Sequence, residues 1–196
     1  MNYEIDGFTT SLLTEQLDYA RQHPEIKGIL LLINSPGGSA AYSEELYLNL
    51  LALREQMPVV ASVDLLAASG AYYAAAAADE IYAKPTSTIG SIGVIASLPG
   101  AVFIEEEVLT TGPYKAFGGT RDASVRQIER AKFAFLQAVQ NGRGDRLDVP
   151  LEFLSRAEVF TGVQALEFGM IDGLVSNDEA IKRTAELAGV SDYDVV

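Results

Sequence analysis

With 196 residues the chain suits one domain, and a hydrophobic fraction of 48% is enough for a sizeable core. A formal net charge of −13 with no Lys/Arg cluster argues against a nucleic-acid partner, which needs concentrated positive charge. Cysteine is absent and His23 is the single histidine, so a thiol nucleophile, disulfides, thiolate metal sites and a multi-histidine zinc site are all excluded.

The elements follow in chain order. Residues 9–22 carry Leu12, Leu13, Leu17 and Ala20 at helical spacing, with Thr10 or Ser11 as N-cap and Pro24 beyond the end. Residues 28–33 form a continuous apolar run, which suits a strand covered on both faces in a parallel sheet. Asn34-Ser35-Pro36-Gly37-Gly38 breaks the run. A helix capped by Ser39 or Ser43 then reaches about Gln56, with Leu46, Leu50 and Leu53 on one side. The pattern repeats as a buried strand over 58–63, a turn over 64–68 and a helix over 69–78.

The stretch 58–78 is about membrane-spanning length. Pro58, Asp64 and Gly70 interrupt it, so it reads as strand, turn and helix rather than as a span. Short strands are expected over 80–83, 86–95 and 108–111. A long amphipathic helix over 122–140 offers Val125, Ile128, Phe133, Leu136 and Val139 to the core. Short helices over 151–155 and 164–168, the latter closed by Gly169, precede a last helix over 179–188. Strand–helix alternation predicts an α/β domain with right-handed crossovers. We read 1–196 as a single domain with 189–196 as a possible C-terminal tail. Met1-Asn2-Tyr3-Glu4 lacks the basic and apolar regions of a secretory leader.

Three segments offer chemistry. The loop 34–38, two glycines between a buried strand and a helix, is able to point backbone N–H groups at an oxyanion. It is also what any tight strand-to-helix turn needs. Ser69, in Ala67-Ala68-Ser69-Gly70-Ala71-Tyr72, follows a strand and opens a helix among small neighbours. It reads either as a nucleophile or as an ordinary N-cap serine. Ser91, in Gly90-Ser91-Ile92-Gly93, lies between glycines, where a hydroxyl could orient a neutral amine or the backbone could merely bulge.

Ser69 needs a base. His23 stands at a polar helix end beside Pro24, which leaves Lys27, Lys84, Lys115, Lys132 and Lys182. A lysine becomes a base near neutral pH only where burial costs its charged form water. Lys115 lies in Thr110-Thr111-Gly112-Pro113-Tyr114-Lys115-Ala116-Phe117, between aromatic and small residues, and is the best placed. A solvated loop lysine is the alternative reading.

Together these segments resemble the signal peptide peptidase A family of serine peptidases, which has the ClpP/crotonase fold. The motifs are Asn34-Ser-Pro-Gly-Gly38, Ala67-Ala-Ser-Gly70 with Tyr72, Gly90-Ser-Ile-Gly93 and Thr111-Gly-Pro-Tyr-Lys115. Val159-Phe-Thr-Gly162 follows, with Ala165-Leu166, Gly169 and Ile171-Asp172, in the family's order over about residues 5–175. Ala71 stands where glycine is common.

The resemblance implies stacked ββα units with a parallel sheet and flanking helices. It implies Ser69 as nucleophile, Lys115 as base, Ser91 holding the lysine amine, and the Gly38 and Gly70 N–H groups as oxyanion hole. It further implies peptide substrates (remnant signal peptides and other unfolded, hydrophobic peptides), a ring- or dome-shaped homo-oligomer, and no metal or organic cofactor. Leu65, Leu66 and Leu98 are candidates for a hydrophobic substrate groove. Many members of the family carry an N-terminal membrane anchor that this sequence does not show, so the chain reads as a soluble variant or an excised domain of a membrane-associated protein. Two other readings stay open, a crotonase-type acyl-CoA enzyme and a non-catalytic oligomeric scaffold that binds peptides.

Overall fold

The computed structural model describes residues 1–97, 111–112, 114–115 and 118–196. The expected strand over 108–111 therefore lies almost entirely outside the described residues. Helix α1 (Gly7–Gln22) leads into strand β1 (Ile29–Ser35), helix α2 (Ala40–Arg54) and strand β2 (Val59–Ala68). Helix α3 (Gly70–Ala75), β3 (Glu80–Ala83) and β4 (Thr88–Gly90) follow. The long helix α4 (Arg121–Arg143) precedes α5 (Leu151–Leu154), β5 (Val159–Thr161), α6 (Gly162–Glu167), β6 (Gly173–Leu174) and α7 (Asn177–Leu187).

The architecture is mixed α/β, a mostly parallel sheet flanked by helices, as the sequence predicts. Strand β2 is its spine. Along one edge it pairs in parallel with β1, from Ile29↔Val59 to Ser35↔Ala67. Its other edge serves two partners in succession, β3 at Val60–Val63 and β4 at Leu66–Ala68. Strand β6 pairs in parallel with β3, and β5 closes the far side antiparallel to β4.

This corrects one expectation. Residues 64–68 are not a turn; β2 runs unbroken through Asp64 for ten residues. The charge is tolerated because its carboxylate meets the Lys84 amine at 2.6 Å and the Asn177 amide at 2.8 Å. Those partners lie far away in the chain. The first helix is also capped differently from expectation: Asp6, not Thr10 or Ser11, accepts from the Thr9 N–H in a capping box.

Leu46, Leu50 and Leu53 of α2 are buried in the core, each contributing about 1.5–3 kcal/mol. Residues 71–78 are buried as well, so α3 sits inside the protein instead of on it. Two polar devices hold it there. Tyr72 donates from its hydroxyl to the Met170 carbonyl at 2.8 Å. Beneath, the buried Arg143 guanidinium grips Asp172 in a two-pronged pair at 2.7 and 2.9 Å. Asp172 also accepts from the Ile81 N–H. Burial pushes the Asp172 carboxyl up, but the bonds and charge of Arg143, the Ile81 N–H and the charge of Arg146 together hold it below the usual range.

On α4, Leu136 and Val139 are buried as expected, whereas Val125 and Phe133 are exposed. Phe135 takes the inward position and stacks on Tyr73 at 4.7 Å between ring centres.

Candidate active site

Strand β2 ends at Ala68, α3 begins at Gly70, and Ser69 makes the turn between them in one residue. Its backbone adopts φ 51° and ψ −128°, a conformation that L-residues avoid. Holding it costs of order 1–3 kcal/mol. The surroundings fix it: the Ser69 N–H donates to the Gly90 carbonyl at 2.8 Å, and the Ser69 carbonyl accepts from the Tyr73 N–H at 3.0 Å. The half-buried side chain forms no helix-capping hydrogen bond, so the N-cap reading fails. A strained residue between strand and helix, its hydroxyl without a hydrogen-bond partner among the described residues, is the arrangement of a nucleophile elbow.

The loop 34–38 lies directly against this turn. A side chain at Gly37 (φ 90°) would place its Cβ 2.6 Å from the Gly70 nitrogen and 2.9 Å from Ser69 Cβ. A Cβ on Gly70 would lie 3.5 Å from the Gly38 nitrogen and 1.9 Å from Ser43 Oγ. Both approaches require glycine. Among the described residues neither the Gly38 nor the Gly70 N–H has a hydrogen-bond acceptor. Two unengaged donors beside a serine hydroxyl form a site that can bind a developing oxyanion.

Ser69, Gly38 and Gly70 share a cavity of about 200 Å³. The sequence reading missed its other walls. Tyr73, Phe135, Ala131 and Ala134 line it, and Glu44 brings a carboxylate to it. Burial, with the charge of Glu44 adding, pushes the Tyr73 phenol up to about 12. Tyr73 was legible only as a neighbour of the serine, and Phe135 only as an apolar position. Ile5, which packs on the glycine loop, gave no signal at all, and Ser43 was read only as a possible helix cap.

The remaining predicted residues are placed as follows. Ser91 follows β4 at φ 54°, and its N–H donates to the Glu158 carbonyl at 2.8 Å. It adjoins Gly90, the residue that holds the Ser69 backbone. Lys115 is exposed in a turn, with its N–H on the Gly112 carbonyl at 3.1 Å, and does not line the cavity. Leu65 is exposed and Leu66 half-buried on β2, outside the cavity. Leu98 lies outside the described residues. His23 stacks on Tyr19 at the end of α1 and reaches the Tyr19 carbonyl. Lys84 is engaged by Asp64 and Asn177. No group of histidine or acidic side chains able to hold a metal occurs among the described residues.

Residues 52–191, more than two thirds of the chain, match the family model of peptidase family S49. The chain belongs to that family. Among its relatives, a candidate protease of Methanocaldococcus jannaschii is 30% identical over 92% of this chain and 62% of its own length. Protease 4 of Salmonella typhi is 31% identical over 96% of this chain and 32% of its own. The chloroplastic serine protease SPPA of Arabidopsis thaliana is 28% identical over 91% and 28%. The chain thus spans less than two thirds of the length of these relatives. The resemblance to the signal peptide peptidase A family, drawn from the motifs, holds. Among the described residues no helix is long and apolar enough to cross a membrane.

Proposed function

We propose that this chain is a serine-peptidase catalytic domain that cleaves unfolded, hydrophobic peptides, remnant signal peptides among them. The observation that carries the reading is the strained Ser69 turn, where the hydroxyl and the two neighbouring N–H groups have no hydrogen-bond partner among the described residues. Ser69 attacks the peptide carbonyl, and the oxyanion that forms rests on the Gly38 and Gly70 N–H groups. Lys115 takes the serine proton and returns it to the leaving amine, with Ser91 orienting the lysine amine. Water then repeats the sequence on the acyl-enzyme.

A lysine accepts a proton near neutral pH only when water is kept from it. Lys115 is exposed in the single chain, which supports an active form in which a second copy covers it. The site is then completed between subunits of a homo-oligomer.

The test is hydrolysis of an unfolded hydrophobic peptide, with labelling by a fluorophosphonate probe. Wild type cuts the peptide and is labelled at Ser69, while Ser69→Ala does neither. A wild type that is unlabelled and inactive but binds acyl-CoA would replace this reading with the crotonase-type one. One that binds the peptide uncut would leave the scaffold.

A further inference from the structure

The glycine loop is braced from a side that the reaction does not use. Residues 1–6 run beside residues 34–39. The Ile5 N–H donates to the Gly37 carbonyl at 2.8 Å, and the Ile5 carbonyl accepts from the Ser39 N–H at 2.8 Å. This is a parallel bridge centred on Gly38. Two further bonds extend it: Asn34 N–H to the Met1 carbonyl at 2.9 Å, and Ser35 Oγ–H to the Tyr3 carbonyl at 2.5 Å. The buried Ser35 Oγ also accepts from the Gly37 N–H at 3.2 Å. The Ile5 side chain is 1% exposed, and Asp6 immediately caps α1, so the brace is anchored at both ends.

A parallel bridge has a geometric consequence. Ile5 engages the flanking Gly37 and Ser39, so the central residue turns its own N–H to the opposite side. That side is where Ser69 and Gly70 stand, since a Cβ on Gly70 would be 3.5 Å from the Gly38 nitrogen. The brace is close enough that a Cβ on Gly38 would lie 2.2 Å from the Ile5 carbonyl oxygen. Without the two Ile5 bonds, the peptide between Gly37 and Gly38 is free to rotate, because neither glycine restricts it.

We infer that Ile5 is a positioning residue, whose backbone N–H and carbonyl aim the Gly38 N–H at the oxyanion. The inference rests on the serine-peptidase reading of Ser69, which supplies the oxyanion. Ile5 touches no substrate; it acts through Gly38.

Ile5→Pro tests this by removing the N–H donor while keeping the carbonyl. A displaced oxyanion donor weakens transition-state binding about 10- to 100-fold. The variant therefore loses that factor in kcat while KM stays within about threefold. A peptide aldehyde, which mimics the tetrahedral state, weakens by the same factor. Ile5→Val retains wild-type rates. Ser35→Ala, a milder loosening of the same brace, loses about three- to tenfold in kcat. Amide hydrogen exchange over residues 34–39 rises in Ile5→Pro whether or not peptide is turned over. A folded Ile5→Pro with kcat within twofold of wild type, or with unchanged exchange over 34–39, overturns the inference. A wild type that neither cuts peptide nor binds the aldehyde overturns the peptidase reading instead, and with it the catalytic role of Ile5. The exchange arm then still decides whether the brace holds the loop.

Discussion

The turn that carries Ser69 and the turn that carries Lys115 are built to different standards. Ser69 is held by β4 through the Gly90 carbonyl, pressed by the Gly37–Gly38 loop, and seated on a helix whose residues are buried. Lys115 stands exposed in a turn closed by its own backbone bonds, Lys115 N–H to Gly112 and Gly118 N–H to the Tyr114 carbonyl. The contrast follows from what each proposed role demands. A strained nucleophile persists only where the surrounding fold over-determines it. A base needs its water removed, and a neighbouring subunit is able to do that.

Replacing each side in turn sharpens the contrast. The largest loss is expected for Lys115→Ala, about 10²–10⁴-fold in kcat with an unchanged melting temperature, because its side chain is exposed and makes no side-chain bond among the described residues. In the same assay Lys84→Met stays within about twofold, since Lys84 is engaged by Asp64 and Asn177. Lys84→Met as inactive as Lys115→Ala would break the assignment of the base. Next comes Gly70→Ala, whose new Cβ would lie 1.9 Å from Ser43 Oγ and force the two donors apart. Steady-state kinetics should show about 100-fold lower kcat. Adding Ser43→Gly should recover about tenfold, whereas no recovery would mean that something other than this contact sets the spacing.

The smallest effect on turnover, and the largest on stability, is expected for Asp172→Asn. It leaves the buried Arg143 without its counter-charge and costs about 3–5 kcal/mol in urea unfolding. The folded Asp172 carboxyl is held below its unfolded value. Its contribution is therefore complete above the unfolded value of about 4 and is lost as pH falls through the lower, folded one. Wild type should lose this part of its stability only on acidification below about pH 4, and Asp172→Asn should lack that component.

Much of this was legible in the sequence. The continuous run of β1 and the leucines of α2 are local signals, and both elements formed about where their patterns put them. Ser69 and the two glycines were found by type and order, and the structure brings them together around one cavity. What was not legible depends on distant partners. Asp64 looked like a turn because Lys84 and Asn177, which neutralise it within a strand, come from other elements. Phe133 and Phe135 both fit an apolar stripe, and only Tyr73 decides which of them turns inward. The brace at Ile5 has no motif, since its bonds are made by backbone atoms that every residue possesses.

The most direct measurement is to mix Ser69→Ala with Lys115→Ala after dissociating and reassembling the two variants together. Each alone should be inactive. If a site takes its serine from one copy and its lysine from another, the mixture recovers peptide hydrolysis at a sizeable fraction of the wild-type rate, and the activity is lost on dilution below the assembly range. A mixture as inactive as its components, alongside a wild type fully active as a proven monomer, would contradict the account.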